Sequence, residues 1–336
     1  MLSAFAAAVR FVMVAIMTVV TVIAPFSQKK EAKIARMNAD CRAAFAAISD
    51  THLKDNFIRL GMFEFGLQDL AQAQDRLDAF VIDGDITDCG DVENWEAVAK
   101  TLNKYDISNN NIMVLGNHDT WGGDRTPDYT RETFIKFTKD ATGREIEQVY
   151  FTTEINGYPV IVLGSEGDNT SATISQTQID WFADEMAKAA ATGLPIFVFC
   201  HQPFNGTHGL PYSWEMNEDE DPDTGGIGDA SDALLAIVEQ YQNVIFISGH
   251  IHTGFTNKDS KYGFESVERH GSYTLVNLPC YEYPDVQRGG HINNGTGYVF
   301  EIYDGEILLR ARNFATGTWL EEYNETIPVT PANPAA

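Results

Sequence analysis

From residue 44 onward, short apolar runs alternate along the chain with longer segments whose apolar residues recur every three or four positions. The short runs predict buried strands, the longer segments predict helices, and their alternation is typical of sheets covered by helices. The predicted strands are 44–49, 79–83, 111–115, 195–200 and 244–248. The predicted helices are 57–74, 92–105, 176–191 and 232–241.

Two dipeptides, Asn156-Gly157 and Asp304-Gly305, predict β-hairpins, because each separates two apolar runs. Such dipeptides supply the left-handed backbone that a two-residue hairpin turn needs. Antiparallel strands therefore join the α/β core. The expected fold class is α/β, with two packed mixed β-sheets flanked by helices and polar groups at the carboxyl ends of the strands.

The domain itself is predicted over 44–324, with a polar loop at 215–228 that is too acidic and too rich in glycine to form an element. Residues 325–336 contain three prolines among Thr and Ala. This composition predicts a disordered tail.

Residues 1–26 form a hydrophobic segment interrupted only by Arg10. The uncharged run after Arg10 is longer than most signal-peptide cores and shorter than the roughly 20 residues of a spanning helix. We favour an uncleaved membrane anchor, because Pro25 disfavours cleavage after Ala24, followed by a juxtamembrane linker over 27–43. The basic residues after the run would place the domain in the cytoplasm, whereas Arg10 before it fits an exported protein, which stays the alternative.

The chain is strongly acidic, since Asp and Glu outnumber Lys and Arg by 48 to 23 and give a net charge of -25. This balance disfavours nucleic acid as a partner, and membrane contact is expected only through the N-terminal segment. The four cysteines lack C-x-x-C spacing and indicate neither a zinc ribbon nor a disulfide framework. A site that binds phosphate therefore has to supply its own positive charge.

Each of the five predicted strands runs into side chains that can bind a metal ion. The clusters are Asp50-Thr51-His52, Gly84-Asp85-Ile86-Thr87-Asp88, Gly116-Asn117-His118-Asp119, Cys200-His201 and Gly249-His250-Ile251-His252. Ligands in open α/β sheets gather at the carboxyl ends of the strands. We therefore expect the five clusters to meet at one edge.

This ordered set of D-x-H, G-D-x-x-D, G-N-H-D, a lone His and G-H-x-H resembles the signature of the calcineurin-like metallophosphoesterases, over roughly 44–254. The resemblance implies two divalent metal ions and hydrolysis of a small phosphate ester by a hydroxide that bridges them. The implied ligands are Asp50, His52 and His252 for one ion, Asn117, His201 and His250 for the other, and Asp85 between the two. His118 would protonate the leaving oxygen, with Asp119 or Asp88 orienting its ring.

Imidazole, carboxylate and amide-oxygen ligands together suit Mn, Fe, Co or Zn better than Ca or Mg. The identity of the two ions stays open between these four. Asp88 and Asp119 have a second interpretation, in which they cap the turns or helices that follow them.

The motifs do not separate phosphodiesters from phosphomonoesters or pyrophosphate bonds. We favour a phosphodiesterase, because no dense Arg or Lys cluster is evident that would bind a dianionic monoester. A purple acid phosphatase is disfavoured, because that group has a tyrosine ligand where Asp88 stands. A membrane-tethered protein that keeps the fold without catalysis is the other hypothesis, and the intact Asp85, Asn117 and His118 argue against it.

Overall fold

The computed structural model describes residues 33–121, 125–167, 170–214, 223–255, 263–282 and 294–330. The strands within these ranges are β1 (Ala43–Ile48), β2 (Ala79–Asp83), β3 (Asn111–Val114), β4 (Phe151–Ile155), β5 (Tyr158–Val162), β6 (Ile196–Phe199), β7 (Val244–Ser248), β8 (Val267–Arg269), β9 (Tyr273–Asn277), β10 (Thr296–Ile302), β11 (Glu306–Asn313), β12 (Thr318–Trp319) and β13 (Glu325–Pro328). The α-helices are α1 (Phe57–Ala71), α2 (Val92–Leu102), α3 (Pro127–Thr142), α4 (Gln176–Ala190) and α5 (Ser231–Val238).

Two mixed sheets contain these strands. The first has the order β12-β11-β10-β1-β2-β3, with β13 paired to β11, and the second has the order β4-β5-β6-β7-β9-β8. Strands β1, β2 and β3 run parallel in the first sheet, as do β5, β6, β7 and β9 in the second. The predicted fold class of two mixed sheets with helices is confirmed.

The core between the sheets follows from the two-residue period of the strands. Phe45 of β1 points inward, where its ring stacks on Phe300 at 4.5 Å and meets the edge of Phe197 from the second sheet at 5.2 Å. Its neighbours Ala44 and Ala46 point outward and pack under the helices of the first sheet. Small outward residues let these helices lie close to the sheet.

The helices cover the outer faces of both sheets. The first three pack on the first sheet through residues such as Phe63, Trp95 and Phe134, and α4 and α5 pack on the second through residues such as Phe182 and Leu234. The helices that connect parallel strands lie on the faces of the sheets and do not cover the carboxyl ends of those strands. Loops at these ends can therefore turn polar side chains towards one another.

The predicted tail is wrong at its start. Residues Glu325–Pro328 form β13, and Ile327 is buried opposite Ile307 of β11. The prolines in this stretch suggested disorder, whereas residues 325–328 form a short strand that is stabilised by pairing with β11. Residues 331–336 lie outside the described residues.

Part of the predicted linker also packs on the domain, since Ile34 is buried and Arg36 pairs with Asp78 at 2.9 Å. The hydrophobic segment 1–26 lies outside the described residues. Within the part of the chain that the structure describes, no helix is both long and apolar enough to cross a membrane. The acidic loop predicted over 215–228 is described only from 223, where it forms a turn.

A buried ion pair joins the first helix to strand β11 of the first sheet. The guanidinium of Arg312 on β11 donates to both carboxylate oxygens of Asp69 on α1, at 2.6 and 2.8 Å, and lies 4.4 Å from the ring centre of Trp319. Arg312 is fully buried. Because Asp69→Ala would remove both carboxylate oxygens that accept hydrogen bonds from this buried guanidinium, we expect the free energy of unfolding to fall by about 3 to 5 kcal/mol.

Chemical denaturation with urea measures this loss. The control is Glu145→Ala, which breaks the exposed pair with Lys139 and should scarcely move the midpoint. Equal shifts in the two variants would contradict the expectation.

Candidate metal centre

The five predicted clusters meet at one end of the sandwich, where the carboxyl ends of β1, β2 and β3 face those of β6 and β7. Three clusters therefore come from the first sheet and two from the second. Six of the seven predicted ligand residues are buried, and the side chain of the seventh, His252, is 23% exposed. The seven residues are Asp50, His52, Asp85, Asn117, His201, His250 and His252.

Five of these residues have a left-handed backbone: Asp50 (φ 56), His52 (φ 42), Asp85 (φ 45), His250 (φ 72) and His252 (φ 50). A left-handed conformation costs a non-glycine residue on the order of 1 to 3 kcal/mol and persists where the surroundings enforce it. Here hydrogen bonds between loops do so, such as His52 N–H to the Asp85 carbonyl at 2.9 Å. This concentration of strain marks the strand ends as a functional site.

The ligand atoms form two groups that share one carboxylate. Asp50, His52, Asp85 and His252 offer atoms that all lie within 4.8 Å of one another, and so do Asp85, His201 and His250. The Nε2 atoms of His52 and His252 are 2.9 Å apart, and Asp85 Oδ2 lies 3.2 Å from His201 Nε2. Asp85 belongs to both groups, as a bridging ligand would.

Several buried polar atoms in and beside these groups make no hydrogen bond. They include Asn117 Oδ1 and both ring nitrogens of His250. A buried polar atom without a partner costs about 1 to 3 kcal/mol, so such atoms need an explanation. Divalent cations explain them, and the donor set of carboxylate, imidazole and amide oxygen suits a transition metal. The residues therefore fit two metal ions.

The charges in the site favour cation binding. Burial opposes ionisation of Asp50, but the hydrogen bond from His252 and the charge of His201 outweigh it and lower the pKa of Asp50 to about 2. Burial is the main cause that lowers the pKa of His52 to about 4, which leaves its ring neutral at pH 7. His201 differs, because Asp85 and Asp50 outweigh burial and raise its pKa to about 10. A metal ion bound at this ring would displace a proton from it.

The ring of His201 is oriented by its second nitrogen. Nδ1 lies 2.7 Å from the carbonyl oxygen of Asp83 and donates to it, so Nε2 faces the ligand group. Two glycines make this close packing possible. A Cβ at Gly84, which has φ +79, would lie 2.4 Å from the His201 ring, and one at Gly116 would lie 2.1 Å from the backbone nitrogen of Asp85.

His118 lies beside the ligand groups and belongs to neither. Its Nδ1 is 2.9 Å from the carbonyl oxygen of Asp88, and its backbone N–H donates to Asp85 Oδ1 at 2.8 Å. Its ring packs against the indole of Trp121, with centroids 4.0 Å apart. The carbonyl contact leaves Nε2 as the nitrogen that can exchange a proton with a bound substrate.

The expectation that a carboxylate of Asp119 or Asp88 orients His118 is wrong, because the main-chain carbonyl of Asp88 does so. The Asp119 carboxylate instead accepts hydrogen bonds from Thr87 N, Thr87 Oγ1 and Gly116 N at 2.8, 2.9 and 3.0 Å. Burial and the charge of Asp85 raise the pKa of Asp119 to about 7. Asp119 thus ties the loop after β2 to the loop after β3 and does not contact the cleft.

The Asp88 carboxylate also has another partner than the one expected. It pairs with Lys54 at 2.5 Å and with Arg59 at 2.6 Å. It lies outside both ligand groups. Arg59 in addition donates to the carbonyl oxygen of His52 at 2.6 Å. One guanidinium therefore connects the loop that carries His52 to the loop that carries Asp88, whose carbonyl oxygen contacts His118.

A cleft of about 440 Å³ opens over the two groups. It is lined by Asp85, Asn117, His118, Trp121, Thr170, Ser171, Trp214, Thr224, Gly225, His250 and His252. The indole of Trp214 stacks on His250 with centroids 4.6 Å apart, opposite the Trp121 and His118 pair. No local pattern pointed to Thr170, Ser171 or Thr224, because they lie in loops away from the motifs.

Sequence reasoning also missed Cys280, which follows β9. Its sulfur lies in one group with ligand atoms of His52 and His252, all within 4.8 Å of one another. A lone cysteine after an apolar strand resembles any buried core residue, so its sequence context offered no signal.

Comparisons with known proteins agree with this geometry. A family model described as calcineurin-like phosphoesterase matches residues 43–254. The fold is similar to a dimetal phosphatase of Danio rerio, at 13% identity and a TM-score of 0.56 over 87% of this chain and 100% of that one. It is also similar to a purple acid phosphatase from yellow lupin seeds, at 14% identity and a TM-score of 0.53 over 88% of this chain and 57% of that one.

No curated protein sequence matches the chain significantly. The family model nevertheless spans more than half of its residues and includes all five strand-end clusters. The chain therefore belongs to the calcineurin-like phosphoesterases, a family of hydrolases with dinuclear metal centres.

Proposed function

We propose that this phosphoesterase is a phosphodiesterase that hydrolyses a small phosphodiester, with His118 as the proton donor to the leaving oxygen. The observation that carries the proposal is the lining of the cleft. Among the described residues around it there is no Lys or Arg, and its outer wall offers the neutral hydroxyl groups of Thr170, Ser171 and Thr224.

The charge of the substrate makes this lining informative. A phosphodiester carries one negative charge, whereas a phosphomonoester carries nearly two at neutral pH and needs more cations around it. The basic side chains near the site, Lys54 and Arg59, are paired with Asp88. A single negative charge fits two metal ions and neutral walls better than two charges do.

The residues of the chain have distinct roles in this proposal. The ligand groups around Asp85 would hold two divalent ions, which when bound supply an activated water and neutralise the phosphate oxygens. His118, held at Nδ1 by the Asp88 carbonyl, presents Nε2–H to the leaving oxygen. The indole of Trp121 packs against that ring.

A substrate panel tests the proposal. The full chain is stripped of metal with a chelator, reconstituted with Mn²⁺, Zn²⁺ or Co²⁺, and assayed with bis(4-nitrophenyl) phosphate, a cyclic nucleotide, 4-nitrophenyl phosphate and a nucleoside diphosphate sugar. We expect kcat/KM for a diester to exceed that for the monoester at least about tenfold, which is about 1.4 kcal/mol of transition-state stabilisation.

The variant Thr170→Lys tests whether the lack of a basic side chain on the cleft wall is what disfavours the monoester. Thr170 is exposed on the cleft wall, so a lysine there adds a cation without disturbing the core. It should raise kcat/KM for the monoester relative to the diester. A metal-loaded protein that prefers the monoester or the pyrophosphate bond would contradict the proposed substrate class. A metal-loaded protein that is inactive on the whole panel would contradict the proposal that it is an enzyme for phosphate esters.

A further inference from the structure

Cys280 is fixed between the two loops that carry the first ligand group. Its backbone N–H donates to the carbonyl oxygen of Thr253 at 2.8 Å, directly after His252. On the other side it forms a parallel bridge with Ser49, directly before Asp50. The position of its Cα is therefore set by both loops, and its side chain is fully buried.

The sulfur of Cys280 is within reach of an ion shared with two histidines. Its Sγ and ligand nitrogens of His52 and His252 all lie within 4.8 Å of one another. Zinc binds sulfur at about 2.3 Å and histidine nitrogen at about 2.0 to 2.1 Å, so two such ligands on one ion lie up to about 4.4 Å apart. The three atoms, which lie within 4.8 Å of one another, therefore have to move closer together to bind the same ion.

The other buried cysteine beside a ligand is different. Cys200 precedes His201, yet it packs in the hydrophobic cluster under α4 and α5. Cys280 belongs to no hydrophobic cluster of the described residues. Its hydrogen bond to the carbonyl oxygen of Asp50 is long, at 3.7 Å, and neither cysteine is in a disulfide.

The surroundings of Cys280 indicate a cation as well. The carboxylates of Asp50 and Asp85 belong to the same ligand group as His52 and His252, and Asp85 Oδ2 is buried without a hydrogen bond. The thiol of Cys280 and the two carboxylates thus belong to two ligand groups that share the imidazoles of His52 and His252.

We propose that Cys280 is a further ligand of the ion held by Asp50, His52 and His252, which it binds through Sγ as a thiolate. The S–H bond breaks, its proton leaves to solvent, and a bond from sulfur to the metal forms, with no change of oxidation state. The proposal rests on the dinuclear site of the proposed function and does not depend on the substrate.

The consequence concerns the choice of metal. A soft thiolate favours Zn²⁺, Co²⁺ or Fe²⁺ and disfavours Mn²⁺ and Mg²⁺. The second ion has no sulfur ligand among the described residues. The two positions are therefore expected to differ in metal preference, with the softer ion beside Cys280.

Cobalt absorption tests the ligand directly. The full chain is stripped of metal under reducing conditions and titrated with Co²⁺, whose bond to a thiolate gives strong charge-transfer absorption in the near ultraviolet. We expect this band in the natural protein and in Cys200→Ser, and its loss in Cys280→Ser. The weaker visible bands of Co²⁺ with nitrogen and oxygen ligands should remain in all three.

X-ray absorption of the zinc-loaded natural protein gives a second measurement that needs no variant. A sulfur neighbour at about 2.3 Å from zinc supports the proposal. If zinc has only nitrogen and oxygen neighbours, the proposal that Cys280 is a ligand is wrong. The same follows if the cobalt charge-transfer band survives in Cys280→Ser, and both conclusions hold even if the protein hydrolyses diesters. A protein that binds no Co²⁺ or Zn²⁺ overturns both this proposal and the metal centre on which the proposed function depends.

Discussion

Replacing Asp85 with asparagine is expected to remove both metal ions and nearly all turnover. Asp85 is the residue that the two ligand groups share, and its charge offsets the repulsion between two cations at close range. Asparagine keeps the size of the side chain but carries no charge. Because the ions supply several kcal/mol of transition-state stabilisation, we expect kcat/KM to fall by at least about 10³-fold.

Metal content by mass spectrometry and kcat/KM are measured on the same sample. The matched control is Asp83→Asn, two residues earlier and equally buried. Both oxygens of Asp83 lack a hydrogen bond, and burial raises the pKa of its carboxyl group well above the ordinary value, which favours the neutral form. This control should keep both ions. Retention of two ions in Asp85→Asn, or equal loss in Asp83→Asn, would refute the bridging role.

The strands that carry the site could be predicted because their apolar runs are short and each is followed directly by a polar cluster. Observed β2 and β7 have the predicted bounds, and β1 is displaced by one residue. Burial on both faces produces such runs wherever helices cover a parallel sheet. The first hairpin was found for a similar local reason, since Asn156 and Gly157 adopt the positive φ that its turn requires. The second pair of antiparallel strands is also present, although neither Asp304 nor Gly305 has a positive φ.

Helix α3 was missed because threonines occupy much of its buried face. Thr130, Thr133 and Thr138 are buried alongside Phe134 and Phe137, and hydroxyl groups conceal the helical period in a hydropathy pattern. The local signals were nevertheless present. Thr126 caps the helix, proline stands at its first turn, and a glycine with φ 74 ends it.

The sequence predicts those site residues that directly follow a strand, and it does not predict the residues that reach the site by tertiary contacts. Cys280 comes to the site through a bridge to Ser49, which is a tertiary contact without a local signal. Asp119 has a clear sequence signal, but that signal is misleading. Its place next to His118 in the G-N-H-D motif suggested that its carboxylate orients the His118 ring. Its carboxylate is occupied by the backbone of two loops, which no spacing in the sequence indicates.

Replacing His118 with alanine is expected to slow only those reactions whose leaving group needs a proton. The ring belongs to neither ligand group, and the contact of residue 118 with Asp85 is made by the backbone N–H, which alanine keeps. Both ions should therefore stay bound. For a nucleoside or alkyl leaving group, we expect kcat to fall by about 10²- to 10⁴-fold, the usual contribution of a general acid.

Two diesters that share one half and differ in the leaving group separate this role from a structural one. With 4-nitrophenolate, which leaves without a proton, His118→Ala should keep most of its activity, whereas with an alkoxide it should not. Trp121→Ala is the companion variant, because it removes the indole packed on the ring and leaves the Nδ1 contact with the Asp88 carbonyl intact. It should therefore show a smaller version of the same leaving-group dependence. Equal losses for both leaving groups in His118→Ala would mean that His118 positions the substrate or the ions and does not move a proton.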